Sequence, residues 1–147
     1  MQAGPGLRHR LERALRQIAQ QHRQLHELGA GLLAALAAGD RGAVRRGFLR
    51  YLEAVGAHFA LEDGVFFPAL HGLHPERSGE LEPIGAEHAG LLDALRRLGE
   101  RLGPEATAAF AEGFESLRAA LAAHERREEQ VVSRLTAAPP APGAGSR

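Results

Sequence analysis

The sequence has no cysteine, no lysine and no tryptophan. Without cysteine there are no disulfides, thiolate metal sites, iron–sulfur ligation or thiol nucleophiles. Any chemistry must therefore use nitrogen and oxygen donors. Charge of one sign is missing too, since Lys+Arg and Asp+Glu stand at 18 each; a nucleic-acid partner would need a basic footprint. All the basic residues are arginine, and Arg41, Arg45, Arg46 and Arg50 read as a solvated face of one helix. Long apolar runs are also lacking. The longest, Leu32 to Ala38, is far below the roughly 20 residues that span a bilayer. Met1 to Arg16 mixes arginine with leucine, unlike a secretory signal. A cytoplasmic chain with neither membrane nor nucleic-acid partner is expected. At 147 residues and 44% hydrophobic, it is long enough for one domain with a real core.

Few stretches alternate like strands, whereas four segments carry helical periodicity. The first runs from about Leu7 to Ala38 and stops at Gly39-Asp40, a C-cap followed by an N-cap. The second runs from about Arg41 to Leu73, with Pro68 expected to kink or loosen its last turns and His74-Pro75 closing it. The third begins after the Ser78-to-Pro83 stretch and reaches Leu102. Pro104 opens the fourth, which ends near Leu135. Residues 1–136 are then one domain, and 137–147, rich in Pro, Ala and Gly, a disordered tail. The fold class is all-α: an up-down-up-down four-helix bundle with short connections.

Steps of three and four residues trace the core seam of each helix. They give Leu11, Leu15, Ile18, His22, Leu25, Gly29, Leu32 and Leu36 in the first. In the second they give Val44, Phe48, Tyr51, Val55, His58, Glu62, Val65 and Ala69. The third has Ile84, His88, Leu91, Leu95, Leu98 and Leu102; the fourth has Phe110, Phe114, Leu117, Leu121, His124, Glu128, Val131 and Leu135. Apart from the amphipathic Tyr51, only histidine and glutamate break these apolar seams as ionisable groups, in the order His, His-x-x-x-Glu, His, His-x-x-x-Glu.

One buried histidine needs no special explanation, because a neutral imidazole finds a carbonyl or a water. Two buried carboxylates do, since an unpaired carboxylate in a core loses several kcal/mol (~, order of magnitude) of solvation. No arginine lies on the seams to compensate them, so a metal cation is expected. His58 with Glu62, and His124 with Glu128, lie four apart on one helix face. Helices two and four fall across a diagonal, and His22 and His88 complete the other. Four nitrogens and two carboxylates suit two octahedral ions bridged by the glutamates and by an oxo, hydroxo or water, with positions left open for reactivity. Manganese or zinc would also accept these donors.

At these residues the chain resembles the hemerythrin-like HHE cation-binding family. His58-Phe59-Ala60-Leu61-Glu62-Asp63-Gly64-Val65-Phe66-Phe67-Pro68 is similar to the family's His-x-x-x-Glu segment with its Phe-Pro, and His124-Glu125-Arg126-Arg127-Glu128-Glu129 to its second copy. Gln21-His22-Arg23 and Glu87-His88 fit the single-histidine helices, so the resemblance spans about Leu7 to Leu135. It implies a non-haem centre of two iron ions with His22, His58, Glu62, His88, His124 and Glu128 as ligands. Oxygen-carrying members have a further histidine one turn from the third-helix ligand, where this chain has Ile84 and Leu92. That departure favours the four-histidine subgroup, which the resemblance links to oxygen, nitric oxide or peroxide chemistry and to iron–sulfur repair. Repair members add a cysteine-bearing segment, and cysteine is absent here.

Binding or reacting with a diatomic gas or peroxide is the first expectation, with turnover as an oxidoreductase and the redox partner left open. Iron storage or delivery is the alternative, and a metal-free bundle that presents a surface is the third. A monomer is the simplest assembly. His26, one turn from His22 but off the seam, is the substitute for it. Glu87, Glu125 and Glu129 fall on other faces and are expected in solvent, with Glu129 a stand-in for Glu128. His9, His71 and His74 lie near helix ends and are expected to be solvated or capping. Tyr51 is either a neighbour of the site or an ordinary core tyrosine.

Overall fold

In the computed structural model, which describes residues 4–103 and 107–137, the first helix, α1 (Pro5–Ala38), ends on Gly39. Gly39 has φ 70, a left-handed conformation that costs glycine nothing for want of a Cβ. Its N–H and that of Asp40 turn back to Leu36 and Ala35, at 3.2 and 3.1 Å. The Asp40 carboxylate then accepts the Ala43 N–H at 3.0 Å and so caps α2 (Arg41–Leu61). This corner is the one the Gly-Asp pair foretells. The other long helices are α4 (Glu82–Glu100) and α5 (Thr107–Ala137). Pro83 sits in the first turn of α4, where its missing N–H costs nothing. Packing runs from α1 to α2, α2 to α4, α4 to α5 and α5 back to α1. The result is an all-α four-helix bundle with α2 and α5 across a diagonal. Among the described residues no helix is long and apolar enough to cross a membrane. The helix start at Pro104 lies outside the described residues, as does the tail expected at 137–147 except for Ala137, which is the last residue of α5.

The second expected helix is three pieces. After α2 comes a π-helical turn, Glu62–Phe66, then α3 (Phe67–Leu73). The Phe67 N–H reaches the Glu62 carbonyl, five residues back. Pro68 explains this: its ring would strike the carbonyl four residues back and it has no N–H to give, so the helix widens just before it. The extra residue turns the seam by one position. Phe66 is buried at 1% exposure and Val65, which the regular steps placed inside, is 41% exposed. In α1 the steps also run three then four, so Ala14 is buried with Leu11 and Ile18 in one cluster, while Leu15, which the seam placed inside, is 37% exposed. His74 is a further correction. It caps α3 but is buried, with Nδ1 3.8 Å from Glu76. A short 3-10 helix, Pro75–Glu80, leads on towards α4.

Two apolar clusters fill the bundle. One includes Val55, Phe59, Leu95 and Leu121, the other Ile18, Phe66, Ile84 and Val131. On every long helix the expected polar residues fall between them, so a polar layer is closed off by apolar packing on both sides. Close approach of α4 to α2 fixes part of this packing: a Cβ on Gly99 would lie 2.5 Å from Phe48 Cε1. The Phe48 ring cannot simply retreat, because it stands edge-on to Phe110 with centroids 5.4 Å apart. Overpacking of this kind costs about 1–3 kcal/mol, against the ~1 kcal/mol that alanine gains over glycine in a helix. Gly99→Ala should therefore lower the melting temperature by a few degrees, and a rise would contradict this packing.

Candidate metal centre

His58 and Glu62 hang from the end of α2 and the start of the π turn, His124 and Glu128 from α5, and His22 and His88 singly from α1 and α4. His58, Glu62, His88, His124 and Glu128 are all at most 3% exposed; the His22 side chain is 20% exposed. The six meet. His22 Nε2 is 3.2 Å from His58 Nε2, and His88 Nε2 is 3.2 Å from His124 Nε2. Glu62 Oε1 stands between the two pairs, 3.2 Å from His58 Nε2 and 3.5 Å from His88 Nε2. Glu128 Oε2 is 3.7 Å from His124 Nε2. Four of the six, Glu62, His88, His124 and Glu128, offer ligand atoms within 4.8 Å of one another, a group that could hold a metal ion. His58 lies beside this group through its contact with Glu62, and His22 beside His58.

The histidines point their Nε2 atoms inwards, and the outer nitrogens of three are held from behind. His58 Nδ1–H donates to Gln21 Oε1 at 2.9 Å, and His124 Nδ1–H to Glu87 Oε2 at 2.8 Å. His88 Nδ1–H is shared between both Asp63 oxygens at 3.0 Å. With Nδ1 as donor, each Nε2 lone pair is left free to face the centre, the arrangement metal-binding histidines use. These supports adjoin the motif residues in sequence, but each serves a histidine on another helix. Adjacency was thus the only signal, and it did not tell which histidine each side chain would meet. Arg127 ion-pairs with Glu87, and this hydrogen bond above all holds the Glu87 carboxyl below its usual range. Glu87 and Glu125 are half-buried and not out in solvent as expected; Glu129 is exposed. Phe59 is a further residue the seam did not reveal, stacking on His88 with centroids 4.0 Å apart.

The electrostatics of these groups fit a bound cation. Both Glu62 oxygens and Glu128 Oε2 are buried without a hydrogen-bond partner among the described residues. Burial first, then the neighbouring Glu128 carboxylate, pushes the Glu62 carboxyl far above its usual range. Burial first, then the surrounding imidazoles, lowers His58 to about 3. Protons are thus driven off the imidazole and onto the carboxyl, which is what one expects of a donor set built around a positive charge. Orphaned carboxylate oxygens beside convergent imidazole nitrogens fit a hard or borderline metal ion.

A cavity of about 270 Å³ is lined by His26, Tyr51, Arg118 and Glu125 among others. Glu125 Oε1 is 3.8 Å from His22 Nε2, so this cavity adjoins the centre. His26 lines the cavity and does not join the cluster. Tyr51 is buried with its ring edge-on to Phe114, and burial chiefly pushes its hydroxyl up to about 12. It is both a core tyrosine and a wall of the cavity.

The sequence model of the Hemerythrin HHE cation binding domain matches residues 13–135 of the chain. No curated protein and no solved structure matches it.

Proposed function

Because this chain belongs to the hemerythrin HHE cation-binding domain family, we propose that it is a non-haem di-iron protein that binds or reacts with oxygen, nitric oxide or peroxide. His22, His58, Glu62, His88, His124 and Glu128 would hold the two ions, with iron preferred to manganese or zinc. One observation carries the proposal: buried carboxylate oxygens without a partner, at Glu62 and Glu128, facing imidazole nitrogens whose far sides are already bonded. When bound, iron would supply electrons and Lewis acidity to a small ligand. The chain's own residues do the rest. Glu62 spans the two histidine pairs, Gln21, Asp63 and Glu87 fix the ring tautomers, and Phe59 covers one face of His88. A cytoplasmic location, a monomeric state and an external electron donor are parts of the same proposal.

Stopped-flow mixing of the reduced, iron-loaded protein with oxygen, nitric oxide and peroxide tests the function. A spectral change with at least one of them is expected. Silence with all three would favour the alternative, a protein that stores or delivers iron, including in iron–sulfur repair.

The donor set also predicts a pH dependence for protein prepared without metal. The buried Glu62 carboxyl keeps a proton that the unfolded chain has already released, so the native state binds more protons and stability falls as pH rises. Burial shifts Glu125 in the same direction. His58 is neutral in both states above its ordinary value of 6.5 and adds no slope there; it costs stability only as pH drops below that value. Between pH 7 and 9, one such proton corresponds to a slope of up to about 1.4 kcal/mol per pH unit. Urea unfolding of the metal-free protein should show that decline, and saturating metal should flatten it. A metal-free stability that rises over this interval would contradict the assignment.

A further inference from the structure

The two halves of the centre repeat each other closely. In each, two histidines 36 residues apart bring their Nε2 atoms to 3.2 Å, and a side chain 37 residues before the second histidine accepts its Nδ1–H. The repeat is broken at one atom. The acceptor behind His58 is the neutral amide of Gln21, whereas the acceptor behind His124 is the carboxylate of Glu87. His88 has a second carboxylate behind it, Asp63, while His22 gains none that the described contacts place on its outer nitrogen. We infer that Gln21 and Glu87 make the halves unequal towards metal, so that the His88–His124 position takes its ion first and holds it more tightly. The inference rests on the metal-centre proposal above.

An imidazole that gives its outer proton to a carboxylate is a stronger electron donor at its inner nitrogen than one that gives it to an amide. Both acceptors fix the ring and the tautomer, so the difference between them is charge and not geometry. Packing works in the same direction. His88 and His124 belong to the compact group of four with Glu62 and Glu128, and Phe59 stacks on His88 at 4.0 Å, closer than its tilted contact with His58 at 5.9 Å. At the other position, His22 is partly exposed and its nearest further acid, Glu125, stands 3.8 Å away and is itself partly open to solvent. Gln21 and Glu87 touch ligands, not the ion, and are positioning residues.

Titration of the metal-free 147-residue chain with cobalt(II) against a competing chelator separates the two steps. Wild type should bind two ions with constants at least about tenfold apart, the size of effect that such supporting residues produce. Gln21→Glu should tighten the second step about tenfold and leave the first unchanged. Glu87→Gln should weaken the first step, and Asp63→Asn, at a side chain that is 50% exposed, should do the same. Equal constants in wild type, or a Gln21→Glu variant that moves both steps alike, would overturn the inference while two ions still bind. Fewer than two ions bound by wild type would overturn the metal-centre proposal itself.

Discussion

Loading the metal-free chain with ferrous iron should raise its melting temperature by roughly 10–15 °C. A ligand that binds only the native state at a thousand times its dissociation constant stabilises it by about 4 kcal/mol, and for a chain of this length each kcal/mol moves the midpoint by roughly 3 °C or slightly more. The effect should be this large because the unloaded centre is costly. Three carboxylate oxygens are buried with no partner among the described residues, and four imidazoles crowd together around them. An ion would satisfy these groups together, in a layer that lies between two apolar clusters. Calorimetric scans with iron and with a chelator measure the difference; coincident scans would mean that the folded chain holds no ion.

Glu62→Gln should act in opposite directions on the two forms. In the metal-free protein the amide has the same shape and needs no proton, so the variant should match wild type or exceed it above neutral pH. In the loaded protein the loss is severe, because among the described residues Glu62 Oε1 alone lies within 3.5 Å of an inner histidine nitrogen in both halves. Metal affinity should fall more than about 100-fold, beyond the loss caused by removing an outer support, and most of the melting-temperature rise should vanish. A variant that is less stable without metal and unchanged with it would show that Glu62 serves the packing and not an ion.

Much of this centre was legible in the sequence. The His and His-x-x-x-Glu breaks fall on the apolar seams at spacings a helix turns into one face, and Gly39-Asp40 marks its corner with the cap chemistry each residue supplies. What regular steps could not show is where the helix stops being regular. One residue inserted ahead of Pro68 moved Phe66 inside and Val65 outside, a shift that depends on how the chain relieves a proline clash. The supports behind the histidines were hidden for a different reason. Gln21, Asp63 and Glu87 lie beside motif residues, but their side chains cross to neighbouring helices, and only interhelical packing decides which ring they meet. Phe59 and the buried His74 likewise depend on contacts between elements, not on periodicity within one.

Iron content per chain after anaerobic reconstitution and desalting, read by elemental analysis on protein shown to be folded, tests the central claim most directly. The donor set predicts two iron ions per wild-type chain. A folded chain that retains none, or that retains as much iron after Glu62→Gln as before it, would contradict a metal centre built from these six residues.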